Sequence, residues 1–460
     1  RSMVNREPVT IPVDATVRQA AEVMSENRVS CILVTQNEKL AGIFTDRDLR
    51  SRVVAKGLAI DTPIREVMTA DPVSMPDEKA AFDALLIMLR KNIHHLPVTR
   101  DGKVSGVVTD TTFLRKQTKS AIYLVGDIYK KNTFEGLAED VAHIPDVLAT
   151  LVEAGGTSHN IGHIITSITD ATTIRLMQMA EEKLGPPPVS YVWCAAGSQA
   201  RQEQTGVSDQ DNCLILSDDY DQAKHGDYFT AFAKFVCDGL NACGYVYCPG
   251  EMMAMTDEWR QPLRVWKKYF TKWIDEPEPK ALMLSCVFFD LRPIRGDMAL
   301  YEQIQKLIIA KSQASGIFIA HMIGNALTHN PPLGFFKNFV LIKGGEHDHS
   351  FDMKHSGVVP IVDIARIYSL HTGCESVNTH ERLISGKESR FLSPSGARDL
   401  QDAYEFIAIT RLKHQARQIK AGQKPNNYLE PDDLSPFERS HLKDAFSVVK
   451  TIQSAMENKH

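Results

Sequence analysis

Val189-Ser190-Tyr191-Val192-Trp193-Cys194-Ala195-Ala196-Gly197-Ser198, then a polar spacer, then Ser208-Asp209-Gln210-Asp211-Asn212-Cys213-Leu214-Ile215-Leu216, is the stretch on which the reading of this chain turns. The apolar, aromatic run Val189 to Ala196 predicts a strand, and Cys213 to Leu216 predicts another. A Gly-Ser turn that opens a short helix presents backbone N–H groups and a hydroxyl, which suit a triphosphate. Arg201, about one helical turn on, adds positive charge. Asp209 and Asp211 lie two apart at the start of a strand, so both side chains point to one face. Two carboxylates on one face make a hard-oxygen site for Mg²⁺ or Mn²⁺. A third carboxylate would complete a two-metal clamp. Asp290 is the candidate, because it closes the apolar run Ala281 to Phe289, read as a strand. The expected catalytic and metal-binding set is therefore Asp209, Asp211 and Asp290, with Gly197, Ser198 and Arg201 binding the nucleotide. Taken alone, Ser208 to Asn212 reads as a solvated turn; the Gly-Ser turn and Asp290 favour the metal site.

The Gly-Ser turn, the spacer and Asp-x-Asp resemble the signature of the DNA polymerase β-type nucleotidyltransferase superfamily. Gly197-Ser198-Gln199-Ala200-Arg201-Gln202-Glu203 with Ser208 to Asn212 is most similar to bacterial uridylyltransferases that act on nitrogen-regulatory proteins. The resemblance covers roughly residues 140 to 460. It implies in-line attack of an acceptor hydroxyl on the α-phosphate of an NTP. Asp209 and Asp211 would bridge two metals, and Asp290 would hold the nucleophile-side metal and take its proton.

Working back toward the N-terminus, residues repeat at a fixed offset of 64, without a gap. Pro8 matches Pro72, Pro12 matches Pro76, Met24 matches Met88, Val34 matches Val98, Gly42 matches Gly106 and Thr45 matches Thr109. Two copies of one βαββα-like unit are implied. In the first, Val17, Ala20, Ala21 and Met24 form a helical apolar face. Ser30 to Val34 and Leu40 to Phe44 read as strands joined by a turn at Asn37-Glu38-Lys39. Ile93 to Val98, Asp101-Gly102 and Val104 to Val108 repeat the pattern.

This repeat resembles a tandem pair of CBS domains, over roughly residues 4 to 118. In that family a Gly-h-x-Thr/Ser-x-x-Asp segment holds the phosphate and ribose of an adenosine nucleotide. The first copy, Gly42-Ile43-Phe44-Thr45-Asp46-Arg47-Asp48, fits. In the second, Gly106-Val107-Val108-Thr109-Asp110-Thr111-Thr112, Thr112 replaces the carboxylate. The resemblance implies Thr45, Asp48 and Thr109 as adenosine-binding residues, with AMP, ADP, ATP or S-adenosylmethionine as ligand. A dimerisation module without ligand is the alternative. The chain begins almost at the family's first strand, so it is expected to be part of a longer protein.

At 460 residues, two to four domains are expected. The chain is 43% hydrophobic and 24% charged, values of an ordinary globular protein. A net charge of −5 and no basic stripe count against polymerisation or end addition on nucleic acid. No signal peptide is visible, and Leu307 to Leu327, carrying Lys311, Gln313 and His321, reads as one buried helix rather than a membrane span. Eight scattered cysteines read as free thiols of a reducing cytoplasm.

From Tyr301 the pattern is helical, notably at Ile361 to His371, Leu400 to Lys420 and Pro436 to Met456, the last started by Asp432, Asp433 or Ser435. Leu341 to Val358 reads as a surface hairpin, and His347, His349 and His355 lack a zinc spacing. Lys354 and Arg366 are weaker candidates for phosphate contacts. The expected fold is an α/β multidomain chain: a tandem CBS pair (4–118), a helical linker (119–184), a nucleotidyltransferase domain with a mixed sheet (185–300) and a C-terminal helical, substrate-binding bundle (301–460). The expected function is a cytoplasmic, homodimeric nucleotidyltransferase of signal transduction, regulated through its CBS pair, with a protein or small molecule as acceptor. The alternative is a catalytically silent nucleotide-sensing scaffold.

Overall fold

The 64-residue offset in the sequence returns as a strand-for-strand repeat. The computed structural model describes residues 8–79, 81–109, 119–206, 208–334, 338–385 and 392–458. The chain divides into Arg1–Gly126 and Asp127–His460.

In the first unit, β1 (Thr10–Pro12) pairs parallel with β2 (Cys31–Gln36), which pairs antiparallel with β3 (Lys39–Thr45). β4 (Thr69–Ala70) lies beside β3. The second copy gives β5 (Met75–Pro76), β6 (His95–Arg100) and β7 (Lys103–Thr109) with the same pairings. Cys31 faces Thr45 as His95 faces Thr109, and the register slip at Val34/Thr35 recurs at Val98/Thr99. The order β1-β2-β3-β7-β6-β5 is a palindrome about the contact of Lys39 with Lys103. Both hairpins turn on two left-handed residues, Asn37 and Glu38 (φ 51 and 65) and Asp101 and Gly102 (φ 51 and 79). That is the turn whose twist matches a right-twisted β-ribbon. The helix Val17–Asn27 starts at a Thr16–Gln19 capping box and buries Val17, Ala20 and Met24; Ala21 is half-buried. Asp110, Thr111 and Thr112 lie outside the described residues.

In the second unit, a mixed sheet has the order β12-β10-β8-β13. Its strands are β8 (Tyr191–Ala196), β10 (Asn212–Leu216), β12 (Arg260–Pro262) and β13 (Leu291–Gly296). β8 is apolar throughout because both of its faces are covered. Tyr191 and Trp193 pack edge-to-face against Phe232 of the helix Gln222–Ala242. Val192, Cys194 and Ala196 enter the core with Trp266 and Phe270. β9 (Asp209–Gln210) leaves this sheet to pair with β11 (Val246–Tyr247).

Two element assignments are corrected. Ala281 to Phe289 is not a strand but part of the helix Pro279–Phe288, with Pro279 in its first turn and the Ser285 hydroxyl bonded back to the Ala281 carbonyl. Leu307 to Leu327 is not one helix. Met298–Ala314 and Gly316–Ala326 meet at 92°, with Ser315 capping the second by accepting from the Phe318 N–H. Among the described residues no single helix is long and apolar enough to cross a membrane.

The tail is helical as expected: Val359–Thr372, Thr379–Ile384, Pro394–Lys420 and Pro436–Glu457. Ser435, rather than Asp432 or Asp433, starts the last of these through a capping box with Glu438. A short pair, β14 (Phe351–Asp352) with β15 (Tyr428–Leu429), lies against them.

Candidate active site

Strand alternation around Asp209 separates two jobs. Gln210 and Asn212 point inward: Gln210 Nε2 donates to the carbonyls of Cys237 and Tyr245 at 3.0 Å each, and Asn212 Oδ1 accepts from the Ala254 N–H at 2.8 Å. Those bonds fix the backbone and leave Asp209 and Asp211 on the opposite face. Gly197 backs that face. Its φ is +57, and a Cβ there would stand 2.9 Å from Asp211 Oδ2, so any side chain would be strained and would crowd the carboxylate. The turn Gly197–Ala200 is pinned from β13, where Arg292 donates to the carbonyls of Gln199 and Ala200.

Asp211 is a carboxylate short of compensation. Burial, then the charge of Asp209 beside it, pushes its carboxyl up to about 6. The Cys248 thiol donates to it, and Lys354 and Arg201 pull the other way more weakly. Burial and Asp211 push the Cys248 thiol up to about 12. Ser198, Arg201, Asp209 and Lys354 line one cleft, which also meets Tyr404 and Arg411 of Pro394–Lys420. Two such carboxylates fit one Mg²⁺ or Mn²⁺, ions bound by one or two carboxylates with the remaining ligands from phosphate and water.

Asp290 does not join them, and its assignment as the third metal ligand is corrected. It is fully buried. Arg201 Nη1 reaches its Oδ2 at 2.8 Å, Arg366 spans both oxygens at 3.1 and 2.7 Å, and Arg382 Nη2 meets Oδ1 at 2.8 Å. Burial opposes ionisation here, but the three guanidinium groups win and hold the carboxyl well below the usual carboxylate range. Its lone pairs are taken, and three positive charges repel any cation. For the same reason it takes no proton from an acceptor. Arg366 is likewise corrected: it is 2% exposed, its guanidinium bonded to Asp290 and Asp363 rather than turned to the cleft. Arg201 lines the cleft while bonded to Asp290 and, at 2.8 Å, to Glu203.

Arg382 and Asp363 carry no local sequence signal, because the cage joins four separate chain segments. Lys354 is held at the cleft by its own turn, with Asp352 Oδ1 accepting from the Lys354 N–H at 2.8 Å. His347 stacks on Tyr428, with ring centroids 3.5 Å apart.

In the first unit Thr45 and Asp48 meet each other. Thr45 Oγ1 donates to Asp48 Oδ2 at 2.7 Å, Asp48 returns an N–H to Thr45 Oγ1, and Arg52 pairs with Asp48 at 3.2 Å. This is a helix-start capping box, which a ribose would have to share. Thr109 ends β7 opposite His95, whose Nε2 lies 2.9 Å from Ser30 Oγ.

Family models match in three places. "CBS domain" covers residues 1–55 and 64–119. "Putative nucleotidyltransferase DUF294" covers residues 142–280. "Putative nucleotidyltransferase substrate binding domain" covers residues 316–460. Among curated relatives, CBS domain-containing protein CBSCBSPB1 of Arabidopsis thaliana is 38% identical over 98 residues, 21% of this chain and 18% of that protein. CBS domain-containing protein YhcV of Bacillus subtilis is 30% identical over 108 residues, 24% of this chain and 77% of that protein. A solved CBS domain protein from Pyrobaculum aerophilum, complexed with AMP, is 26% identical over 26% of this chain and 92% of its own, with a TM-score of 0.24. The chain thus spans about a fifth of the length of the first of these relatives. It belongs to the family in which a tandem CBS pair is joined to a domain described as "Putative nucleotidyltransferase DUF294" and to that domain's substrate-binding partner.

Proposed function

We propose that Asp127–His460 transfers a nucleoside monophosphate from an NTP to a hydroxyl of a protein or small molecule. The observation that carries this is the carboxylate pair Asp209 and Asp211, only partly compensated and set behind the Gly197-Ser198 turn, with Asp209 lining a cleft that also holds Ser198 and Lys354. A bound Mg²⁺ supplies a Lewis acid for the phosphoryl oxygens. The chain's own residues do the rest. Ser198 and the N–H groups of its turn orient the phosphates, and Lys354 and Arg201 offset their charge; the acceptor hydroxyl attacks the α-phosphorus and loses its proton to solvent as the bond to the leaving pyrophosphate breaks. Asp290 acts only through Arg201, as a positioning residue.

Pyrophosphate release from labelled NTPs, with Mg²⁺ and cell extract as acceptor source, tests this. Asp209→Asn is expected to lower the rate by on the order of 10²-fold or more with the fold intact. Equal rates in the two proteins would end the assignment. The caged Asp290 favours one competing reading, a silent nucleotide-binding scaffold. A scaffold would bind Mg²⁺-NTP through Asp209 and release no pyrophosphate.

The CBS pair is proposed to bind an adenosine nucleotide or S-adenosylmethionine and set the output of the transferase. Support comes from the Gly42-to-Asp48 motif and the buried, oriented Asp48 carboxylate. Calorimetry with AMP, ADP, ATP and S-adenosylmethionine should show one site lost in Asp48→Ala. An unaltered isotherm removes Asp48 from the ligand set.

A further inference from the structure

Buried polar atoms without a partner are uncommon and unfavourable. Among the described residues, three such atoms meet at one cleft: Gln204 Oε1, His159 Nδ1 and His380 Nδ1. Gln204 is only 2% exposed. The rings of His159 and His380 lie 4.7 Å apart, centroid to centroid. Burial, then His380, depresses His159, so its imidazole is neutral near pH 7. Val362 and Leu412 supply apolar wall beside these groups.

The backbone aims Gln204 inward. Gly162 of the helix Ser158–Leu184 has no side chain, and a Cβ there would stand 2.6 Å from the Gln202 carbonyl oxygen. The loop therefore lies directly on the helix. Gln202 takes a left-handed φ of 59, and the chain turns so that Gln204 faces the cleft. The same cleft is bounded by Ser198 and Asp209.

Apolar walls with polar atoms at an edge suit a flat ring that is apolar on its faces and polar on its rim. Beside a site for nucleoside triphosphates, that ring is a base. The Gln204 carbonyl oxygen accepts only, so it needs an N–H. An exocyclic amine offers one freely. The ring N–H of uracil is flanked by two carbonyl oxygens, whose lone pairs repel Gln204 Oε1 and weaken that bond. We propose that this end of the cleft reads the base of the donor nucleotide, and that Gln204 selects a base carrying an exocyclic amine (adenine, guanine or cytosine) over uracil. This rests on the nucleotidyltransferase reading, and it narrows a base preference that the sequence leaves open.

CTP and UTP make the clean comparison, since they differ only at the pyrimidine's 4-position and the adjoining ring nitrogen, and neither carries adenosine for the CBS pair. With Mg²⁺ and the full chain, CTP is expected to bind about tenfold or more tightly than UTP. Gln204→Leu, an apolar replacement of similar size, is expected to bring the two within about twofold by weakening CTP. UTP binding as tightly as CTP in the unaltered protein overturns the proposal, whatever the variant does. A CTP preference that survives Gln204→Leu overturns the role of Gln204. Mg²⁺-tripolyphosphate, which has no base, separates the two layers. If it binds in an Asp209-dependent way while CTP and UTP are equal, the base pocket alone is wrong. If it does not bind, the nucleotide site is wrong and the pocket falls with it.

Discussion

Asp290 and Asp211 are the same side chain in opposite electrostatic circumstances. Around Asp290, Arg201, Arg366 and Arg382 face Asp290 itself, Asp363 and Glu203, three positive groups against three negative. Around Asp211 the neighbouring charge is another carboxylate, which with burial outweighs the Cys248 thiol, Lys354 and Arg201. A buried acid matched by arginines has its interactions satisfied and holds elements together. A buried acid left beside a second acid stores an unsatisfied affinity for a cation. The lesson is that burial and residue type do not distinguish a ligand from a strut; the charge balance of the neighbours does.

The sharpest way to break this contrast is to remove one charge from each region. Asp290→Asn leaves three buried arginines facing two acids, and loss of one partner from such a network costs about 3–5 kcal/mol. We expect it to accumulate as insoluble protein or to melt far below the parent. Asp209→Asn should melt within about 1 kcal/mol of the parent or slightly above it, since it removes a like-charge contact. Thermal melts of both variants without metal decide the matter. An Asp290→Asn protein as stable as the parent would mean the cage is not structural, and a strongly destabilised Asp209→Asn would mean the pair is.

These two regions were also unequally legible. The aspartate pair is a local pattern: Gly197, Ser198, Asp209 and Asp211 lie within one strand-turn-strand segment, so spacing and alternation suffice. The CBS pair is legible for a related reason, since a repeat at a constant offset doubles each weak local signal, its two turns included. The cage was not. Arg201, Asp290, Arg366 and Arg382 come from distant segments, and their meeting is a property of the packed core. Arg366 misleads in particular, because a lone cation on a helix is usually solvated. Val359–Thr372 is buried on nearly every face, so here it is not. The run Ala281 to Phe289 fails differently: a short apolar stretch has no period by which to tell a strand from a buried helix, and the helix is signalled only by Glu278-Pro279 ahead of it. Ser315-Gly316 is the corresponding break in Leu307 to Leu327.

A smaller effect probes the rim of the cage, where it reaches solvent. His329 Nδ1 lies 2.9 Å from Asp363 Oδ2, and Asp363 Oδ1 meets Arg366 at 2.6 Å. The bond to Asp363 raises the His329 pKa above 6.5, with burial opposing it. A raised folded-state value means the protonated imidazole is favoured in the native protein. Its contribution is complete below about pH 6.5 and is lost as pH rises through the raised value. The side chain is 39% exposed, so solvent screens the pair and the expected contribution is only about 0.3–1 kcal/mol. His329→Gln should therefore be less stable than the parent at pH 5.5–6 and close to it at pH 9, in denaturant melts run at both values. The opposite order, with the larger loss at high pH, would show that His329 supports Asp363 as a neutral hydrogen-bond donor. The charge balance of the cage would then end at Arg366 and not extend to the surface.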